Sequence, residues 1–385
     1  MITDAPARRS AVSVALAGLV ALAVAMGIGR FAFTPILPMM QEDAGVSIAM
    51  GGWLASANYL GYLAGALSVI WWRIGATTGI RVGLAAIGLT TLAMGLEHRF
   101  AAWIVLRALA GVASAWVLIY VSAWCLERLA SLRSPELGNT VYAGVGAGIA
   151  LAGGVCLALM HGGAGSTQAW MVLGVLAVVL SLAIWTVIGS RDSSQAESAQ
   201  PAARGGMAWD RESLRLVLCY GAFGFGYIIP ATFLPAMAKQ VVRDPVVFGW
   251  SWPIFGAAAM GSTLATVMLR GFLTNRRIWI GSHLVMALGV ALPIIWPGIV
   301  PIMLAALLVG GTFMVITMIG MQEARSFAGV RATPLMAAMT SAFALGQIAG
   351  PISVSLVVGA GGGVSAALVI ACVVLIVSAY ALSCG

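Results

Sequence analysis

Long apolar stretches, separated by short segments that carry charge or proline, run the length of the chain. A helix needs about 20 apolar residues to cross roughly 30 Å of hydrocarbon. By that criterion the sequence predicts twelve transmembrane helices, at 11–34, 47–71, 80–96, 100–126, 138–160, 168–189, 213–238, 246–269, 277–296, 299–321, 333–358 and 363–383. The predicted fold class is an all-α membrane protein that is solvated by the lipid bilayer.

Composition agrees with this prediction and excludes a soluble fold. Of the 385 residues, 61% are hydrophobic and 8% are charged, whereas an average soluble domain has about 25% charged residues. The net charge of +8 does not indicate a nucleic-acid partner. The basic residues occur in ones and twos between apolar runs, and they do not cluster on one face with interleaved aromatic residues.

The distribution of basic residues instead predicts the orientation of the chain. If the N-terminus is cytoplasmic, fifteen basic residues fall in inner segments and only Arg99, Lys239 and Arg243 fall outside. Cytoplasmic loops carry an excess of lysine and arginine. We therefore expect a multi-pass protein of a bacterial-type cytoplasmic (inner) membrane, with both termini in the cytoplasm.

A polar segment and an internal repeat divide the chain into halves. Residues 190–212 are rich in Ser, Gln, Ala, Gly and charge and have no apolar periodicity, which predicts a cytoplasmic linker. It separates an N-terminal six-helix bundle, 1–189, from a C-terminal one, 213–385. A shift of 197 residues aligns motifs in spans one, two and five with the second half: Gly27 with Gly224, Pro38 with Pro235, Trp53 with Trp250, Arg73 with Arg270, and Gly153 with Gly350.

This organisation resembles the major facilitator superfamily, in which two six-helix halves form parallel repeats. Segment 27–40, GIGRFAFTPILPMM, is similar to the YbfB-like branch of that superfamily, and Arg107 with Gly111 resembles its fourth-helix motif. The resemblance implies the major facilitator fold, with twelve helices in two six-helix pseudo-repeats. It also implies transport of a small molecule by alternating access.

Arg30 and Arg107 are the candidate substrate-binding charges. A charge near the bilayer centre costs about 2.5–3.5 kcal/mol on insertion scales, so ionisable residues there are functional candidates. No acidic residue lies well inside a predicted span. Two uncompensated guanidinium groups favour an anionic substrate such as a small carboxylate. Two other interpretations remain open: each arginine reaches the outer interface or donates to backbone carbonyls, or Arg107 couples transport to protons, as the resemblance to drug-proton antiporters implies.

Three further polar residues are candidate substrate contacts. By the 197-residue shift, Tyr227 occupies the position equivalent to Arg30, where it either lines the site or packs. Asn58 and Gln347 are mid-span amides, which are costly to leave unsatisfied in hydrocarbon. Each bonds either the substrate or a neighbouring helix. We expect His283, on a peripheral span, to have a structural role.

Paired glycines predict close helix contacts. Three G-x-x-x-G pairs fall on spans two, five and eleven: Gly61 and Gly65, Gly144 and Gly148, and Gly346 and Gly350. The resemblance places these spans, with span eight, between the two halves. Rocking of the halves over smooth glycine faces is the predicted transport cycle.

The sequence therefore predicts a secondary transporter for a small organic solute, expected to be anionic. The alternative is proton-coupled efflux of drug-like amphipathic compounds, suggested by Arg107 and by the Gly-Pro pair at Gly350. We expect no enzymatic activity, because no catalytic motif is present. We also expect no cofactor, no metal and a monomer.

Overall fold

The computed structural model describes residues 5–72, 74–189, 210–241, 245–269, 271–296, 298–359 and 364–384. Within these ranges twelve helices are long and apolar enough to cross a membrane. The first, α1, has three sections: Ala5–Leu22, a π-helical section Ala23–Phe31, and Phe33–Asp43. The others are α2 Ile48–Trp71, α3 Ala76–Leu96, α4 Phe100–Ser131, α5 Gly138–His161, α6 Ser166–Gly189, α7 Arg211–Val241, α8 Pro245–Leu269, α9 Asn275–Ile295, α10 Ile299–Ala328, α11 Ala332–Gly359 and α12 Val364–Ser383.

The all-α fold with twelve spans is confirmed, and the largest difference from the predicted boundaries is in α1. The sequence predicted its end at residue 34, before Pro35, but the helix continues to Asp43. Pro35 lies in the first turn of the section Phe33–Asp43, where a missing N–H is tolerated. Most of the predicted linker, 190–209, lies outside the described residues, and its last two residues already belong to α7.

The helix boundaries follow the 197-residue repeat. The shift maps α2 onto 245–268, and α8 is Pro245–Leu269. It maps α4 onto 297–328, and α10 is Ile299–Ala328. The shift also matches α3 with α9, α5 with α11 and α6 with α12 within three residues at both ends, whereas it maps the start of α1 onto residue 202 and α7 begins at Arg211. Apart from the start of α1, the two sets of six helices therefore repeat in length as well as in local sequence.

The halves meet along two helix pairs, α5 with α8 and α2 with α11. Within the halves, α1 packs on α5, α2 on α4, and α7 on α11. Helices α3 and α6 in the first half, and α9 and α12 in the second, expose leucine and valine side chains such as Leu89, Leu182 and Val377. Such faces suit contact with lipid.

The six paired glycines lie against helices of their own half, which corrects the expectation that they separate the halves. At each of them a Cβ atom would press on a neighbouring helix. The neighbours are Ala108 and Val112 for Gly61 and Gly65, Leu19 and Ala23 for Gly144 and Gly148, and Gly221 and Ile228 for Gly346 and Gly350. Glycine permits these close approaches because it has no side chain.

Other glycines form the smooth contact between the halves. A Cβ atom at Gly146 of α5 would clash with the backbone of Met260 on α8, and one at Gly256 of α8 would clash with Ala150. Gly153 of α5 lies against Pro253 of α8. The contact between halves thus uses the face of α5 that carries Gly146 and Gly153, and the face with Gly144 and Gly148 packs on α1.

Candidate functional site

A π-helical section, Ala23–Phe31, forms the middle of α1 and carries Arg30. π-helices have i→i+5 hydrogen bonds, are rare, and often mark functional sites. Gly27 lets this section pack directly against the backbone of Gly148 on α5. Ser114 Oγ of α4 donates to the carbonyl oxygen of Ala25 at 2.9 Å. The section is therefore held between α4 and α5.

Arg107 of α4 is bonded to the same section. Its Nη1 donates to the carbonyl oxygen of Gly29 at 3.2 Å, and its Nη2 donates to that of Arg30 at 3.3 Å. The guanidinium carbon lies 4.7 Å from the centre of the Phe33 ring. Arg107 is only 3% exposed. The sequence left several interpretations of Arg107 open. Donation to backbone carbonyls matches this geometry, whereas extension of the side chain to the outer membrane–water interface does not.

Arg30 lies at the contact between the two halves. Its Nη2 donates to Oε1 of Gln347 on α11. Its guanidinium carbon is 3.8 Å from the ring centre of Tyr62 and 5.6 Å from that of Tyr59, both on α2. Arg30 is 3% exposed and α1 continues for thirteen residues beyond it. The interpretation that Arg30 extends to the outer membrane–water interface is therefore wrong as well.

Several polar atoms around Arg30 have no hydrogen-bond partner among the described residues. They are Nε and Nη1 of Arg30, Nε of Arg107, Nε2 of Gln347, the hydroxyl of Tyr62 and Oδ1 of Asn58. Most are donors, because a guanidinium group has only N–H groups and the amide nitrogen of Gln347 also donates. Within the described ranges, neither arginine takes part in an ion pair. The site thus has spare donors and an uncompensated positive charge.

Asn58 and Gln347 both bond arginines. Nδ2 of Asn58 donates to the carbonyl oxygen of Arg107 at 3.0 Å, which ties α2 to α4 within the first half. Gln347 connects the halves through Arg30. Both amides are fully buried. Each therefore bonds a neighbouring helix, and each keeps one amide atom without a partner in the described part of the chain.

Tyr227 belongs to an aromatic cluster beside the arginines. Its ring stacks on Phe313 with centres 4.6 Å apart and planes 13° apart, and it also lies against Phe343 at 6.2 Å. Phe343 is in turn 5.8 Å from the Arg30 guanidinium carbon. Phe31 of α1 meets Phe313 edge-on at 5.7 Å across the contact between halves. Rings from both halves thus converge next to Arg30.

The rings that surround Arg30 are not among the site residues predicted from the sequence. Helical spacing offered a signal, because residues four apart lie on one helix face. Tyr62 follows Asn58 by four residues, and Phe343 precedes Gln347 by four. The π-helical section was not predicted either, and in the structure it lies between α4 and α5.

His283 has the structural surroundings expected of it. Its Nδ1 lies 3.2 Å from the carbonyl oxygen of Trp279, and its Nε2 lies 3.4 Å from Oγ of Ser378 on α12. The ring is fully buried between α9 and α12. Its described hydrogen bonds connect peripheral helices of the second half.

A cavity of about 230 Å³ lies elsewhere, at the predicted outer end of the first half. Asp43, at its edge, accepts hydrogen bonds from the backbone N–H and the hydroxyl of Ser166 and so caps α6. The cavity contains none of the candidate residues and is lined by Met40, Asp43, Ala44, Met94, His98, Trp103, Ser166, Thr167 and Trp170. The candidate site is therefore the buried cluster around Arg30, between the halves.

Comparison with known proteins gives two matches. Residues 22–383 match the family described as "Uncharacterised MFS-type transporter YbfB". A stretch of 97 residues is 35% identical to the "Uncharacterized MFS-type transporter YceJ" of Bacillus subtilis (strain 168). That stretch covers 24% of this chain and 24% of the relative. The family match extends from the end of the first section of α1 to the end of α12, whereas the chain matches about a quarter of the length of this relative.

Proposed function

The chain belongs to the YbfB family of MFS-type transporters, and on that premise we propose that it is a secondary transporter for a small organic anion. In this proposal the anion crosses the cytoplasmic membrane by alternating access of two six-helix halves. Both termini face the cytoplasm. Arg30 is the principal anion-binding group, and Gln347 and Tyr62 supply further donors. Tyr227 lines the aromatic wall, Arg107 holds the backbone that presents Arg30, and Asn58 holds the backbone of Arg107.

The observation that carries this proposal is the environment of Arg30. Its guanidinium group is buried between the halves, retains unpartnered donors and has no carboxylate partner in the described ranges. A buried charge is expensive unless it is paired. A guanidinium fork matches a carboxylate in geometry and charge. An anionic substrate would therefore satisfy donors that the protein itself leaves free.

Alternating access is supported by the contacts between the halves. Gly146 and Gly256 allow the backbones of α5 and α8 to touch. Smooth faces of this kind can slide with few interlocking side chains. The hydrogen bond from Arg30 to Gln347 also crosses from one half to the other. An anion bound at Arg30 would compete for that bond and so favour separation of the halves.

The alternative, proton-coupled efflux of amphipathic compounds, is suggested by Arg107 and the Gly-Pro pair at Gly350, and the aromatic rings around Arg30 are the structural feature that favours it. Proton coupling commonly uses an acidic residue inside the membrane. The twelve acidic residues of this sequence lie at span ends or in loops. We therefore retain the anion as the proposed substrate, and a cationic compound is included in the test as the ligand that this alternative would favour.

The test is a thermal-shift screen of purified protein with Arg30→Gln and Arg30→Lys variants. The panel contains acetate, benzoate, succinate, phosphate, the neutral amide benzamide and the cation tetraphenylphosphonium. We expect one or more anions to raise the midpoint of unfolding in wild type, less in Arg30→Lys and not at all in Arg30→Gln. A ligand at 100 times its dissociation constant stabilises the protein by about 2.7 kcal/mol.

The control is the unfolding midpoint of each variant without ligand. Removal of the cation relieves about 2.5–3.5 kcal/mol of insertion cost, which offsets the lost cation–π contact of about 2 kcal/mol and part of the lost hydrogen bond. Arg30→Gln should therefore fold. Stabilisation by tetraphenylphosphonium alone, or anion stabilisation that survives in Arg30→Gln, would refute the proposal.

A further inference from the structure

We infer that the substrate has a single carboxylate on an aromatic or other ring-shaped apolar body. The carboxylate binds Arg30, and the body packs between the rings of the two halves. This inference rests on the proposed function and narrows its substrate class.

The groups that Arg30 contacts on α11 already have this chemistry. Gln347 presents an oxygen acceptor to the guanidinium group, and Phe343, one helical turn before it, presents a ring 5.8 Å from the guanidinium carbon. Together they offer Arg30 an oxygen and an aromatic face on one helix surface. An aromatic carboxylate combines the same two features in one molecule. It can therefore replace both contacts when the halves separate.

The walls around Arg30 are aromatic on both sides. The first half contributes Phe31, Tyr59 and Tyr62, each within 5.6 Å of the guanidinium carbon. The second half contributes Phe343 and the stacked pair of Tyr227 and Phe313. Aromatic rings pair best edge-to-face or offset with other rings. A flat apolar body fits these walls better than a polyhydroxylated one, which would leave hydroxyl groups without partners.

Once a first carboxylate uses the free donors of Arg30, Gln347 and Tyr62, few donors remain for a second carboxylate. Both Nη atoms of Arg107 are already bonded to carbonyl oxygens of the π-helical section. The faces of the surrounding rings carry partial negative charge and repel an anion. A second carboxylate would therefore lie against ring faces. At the insertion cost of a charge in the membrane interior, a dianion should bind roughly 100-fold more weakly than the matching monoanion.

The experiment compares matched ligands on the full-length wild-type protein. Dissociation constants are measured by titration of the unfolding midpoint with benzoate, cyclohexanecarboxylate, acetate, phthalate, succinate and benzamide. We expect benzoate to bind most tightly, cyclohexanecarboxylate next and acetate at least tenfold more weakly than benzoate. Phthalate should bind roughly 100-fold more weakly than benzoate, and benzamide should not raise the unfolding midpoint.

A variant that lacks the Phe343 ring distinguishes recognition of the ligand's ring from a role of Phe343 in packing the protein. Phe343→Leu removes the ring beside Arg30 and should weaken benzoate about tenfold while leaving acetate within twofold, because acetate has no ring to pack. Phe327→Leu is the matched control, since Phe327 is 45% exposed on α10 and lies outside the cluster. Equal losses for benzoate and acetate in Phe343→Leu would show a packing role and contradict the inference.

The outcomes distinguish this inference from the function on which it rests. If succinate or phthalate binds more tightly than benzoate and requires Arg30, the inference is wrong and the anion transporter stands. If no anion requires Arg30, the proposed function fails and the inference fails with it. Tight, Arg30-dependent binding of benzoate with weak binding of phthalate supports both.

Discussion

Arg107→Lys offers the clearest test of how the site is built. Arg107 either holds the backbone of the π-helical section or contacts the anion by its charge, and these two roles predict opposite effects of this conservative change. In the structure its fork bonds the carbonyl oxygens of Gly29 and Arg30. We expect Arg107→Lys, which keeps the charge, to damage anion binding. Lysine is a point charge without a planar fork and can bond only one of the two carbonyls well.

The size of the effect follows from the lost hydrogen bond. A hydrogen bond to a charged group contributes about 1.5–3 kcal/mol, and Arg107→Lys loses one of two. If this loss passes fully to the position of Arg30, anion affinity falls roughly 10- to 150-fold. Arg107→Gln keeps an amide donor for one carbonyl and loses the charge. If Arg107 holds the backbone, Arg107→Lys should retain no more anion affinity than Arg107→Gln.

The assay is anion affinity from thermal-shift titration, with hydrogen exchange of the backbone in 23–31 as a second measurement. Both variants should increase exchange in that section, because its carbonyl oxygens lose their bonds to α4. Arg99→Lys, in an exposed position before α4, is the matched control. If Arg107→Lys keeps its affinity within threefold while Arg107→Gln abolishes it, Arg107 contacts the anion by charge and our reasoning is refuted.

Two further predictions concern the contact between the halves. Gly146→Leu should abolish transport in proteoliposomes with little loss of expression, because its side chain would clash with α8 at Met260. Gly154→Leu, on the same helix but with open space around its Cβ position, is the control, and equal effects of the two would contradict a specific role. Gln347→Glu should place a carboxylate on Arg30, which raises the unfolding midpoint and reduces anion affinity at least 100-fold. Gln347→Met, of similar size and without charge, removes one neutral donor and should keep affinity within tenfold, and an equal loss in both variants would show that the missing amide, and not the carboxylate on Arg30, lowers the affinity.

Much of the fold could be predicted from the sequence, because the bilayer limits the possible structures. Only helices and closed barrels satisfy backbone hydrogen bonds in lipid, so the length of an apolar run indicates a helix and polar residues mark its ends. This logic located all twelve helices, and the 197-residue repeat accounts for the matching boundaries in the second half. It failed at the end of α1, because the helix continues through Pro35 in the first turn and Pro38 in the interior of the section Phe33–Asp43.

Less of the candidate site could be predicted. The scarcity of charge identified Arg30 and Arg107, and the cost of a buried amide identified Asn58 and Gln347. These four residues are connected by hydrogen bonds in the structure. Their separate roles could not be derived, because a guanidinium group suits an anion and a backbone carbonyl equally well. The choice depends on which atoms another helix brings within reach.

The glycines show the same limit at the level of helix faces. The G-x-x-x-G spacing correctly indicated close packing, but it does not say which helix is packed against. Gly144 and Gly146 are two residues apart on α5, and one faces α1 while the other faces α8. Helical geometry turns successive residues by about 100°, so adjacent positions serve different neighbours.

The sequence by itself determined the number of helices, their approximate ends and the few residues whose charge is costly in lipid, because the bilayer imposes these requirements on any chain. It also determined the repeat. The tertiary structure alone decided that α1 becomes π-helical beside α4, that Arg107 bonds this section, and that Arg30 meets Gln347 and a set of rings across the two halves. The number and ends of the helices and the costly charges depend on the free energy of transferring single residues into hydrocarbon, which follows from the residue types along the sequence. The features that the tertiary structure decided depend on distances between residues up to 317 positions apart, which only the packed helices define.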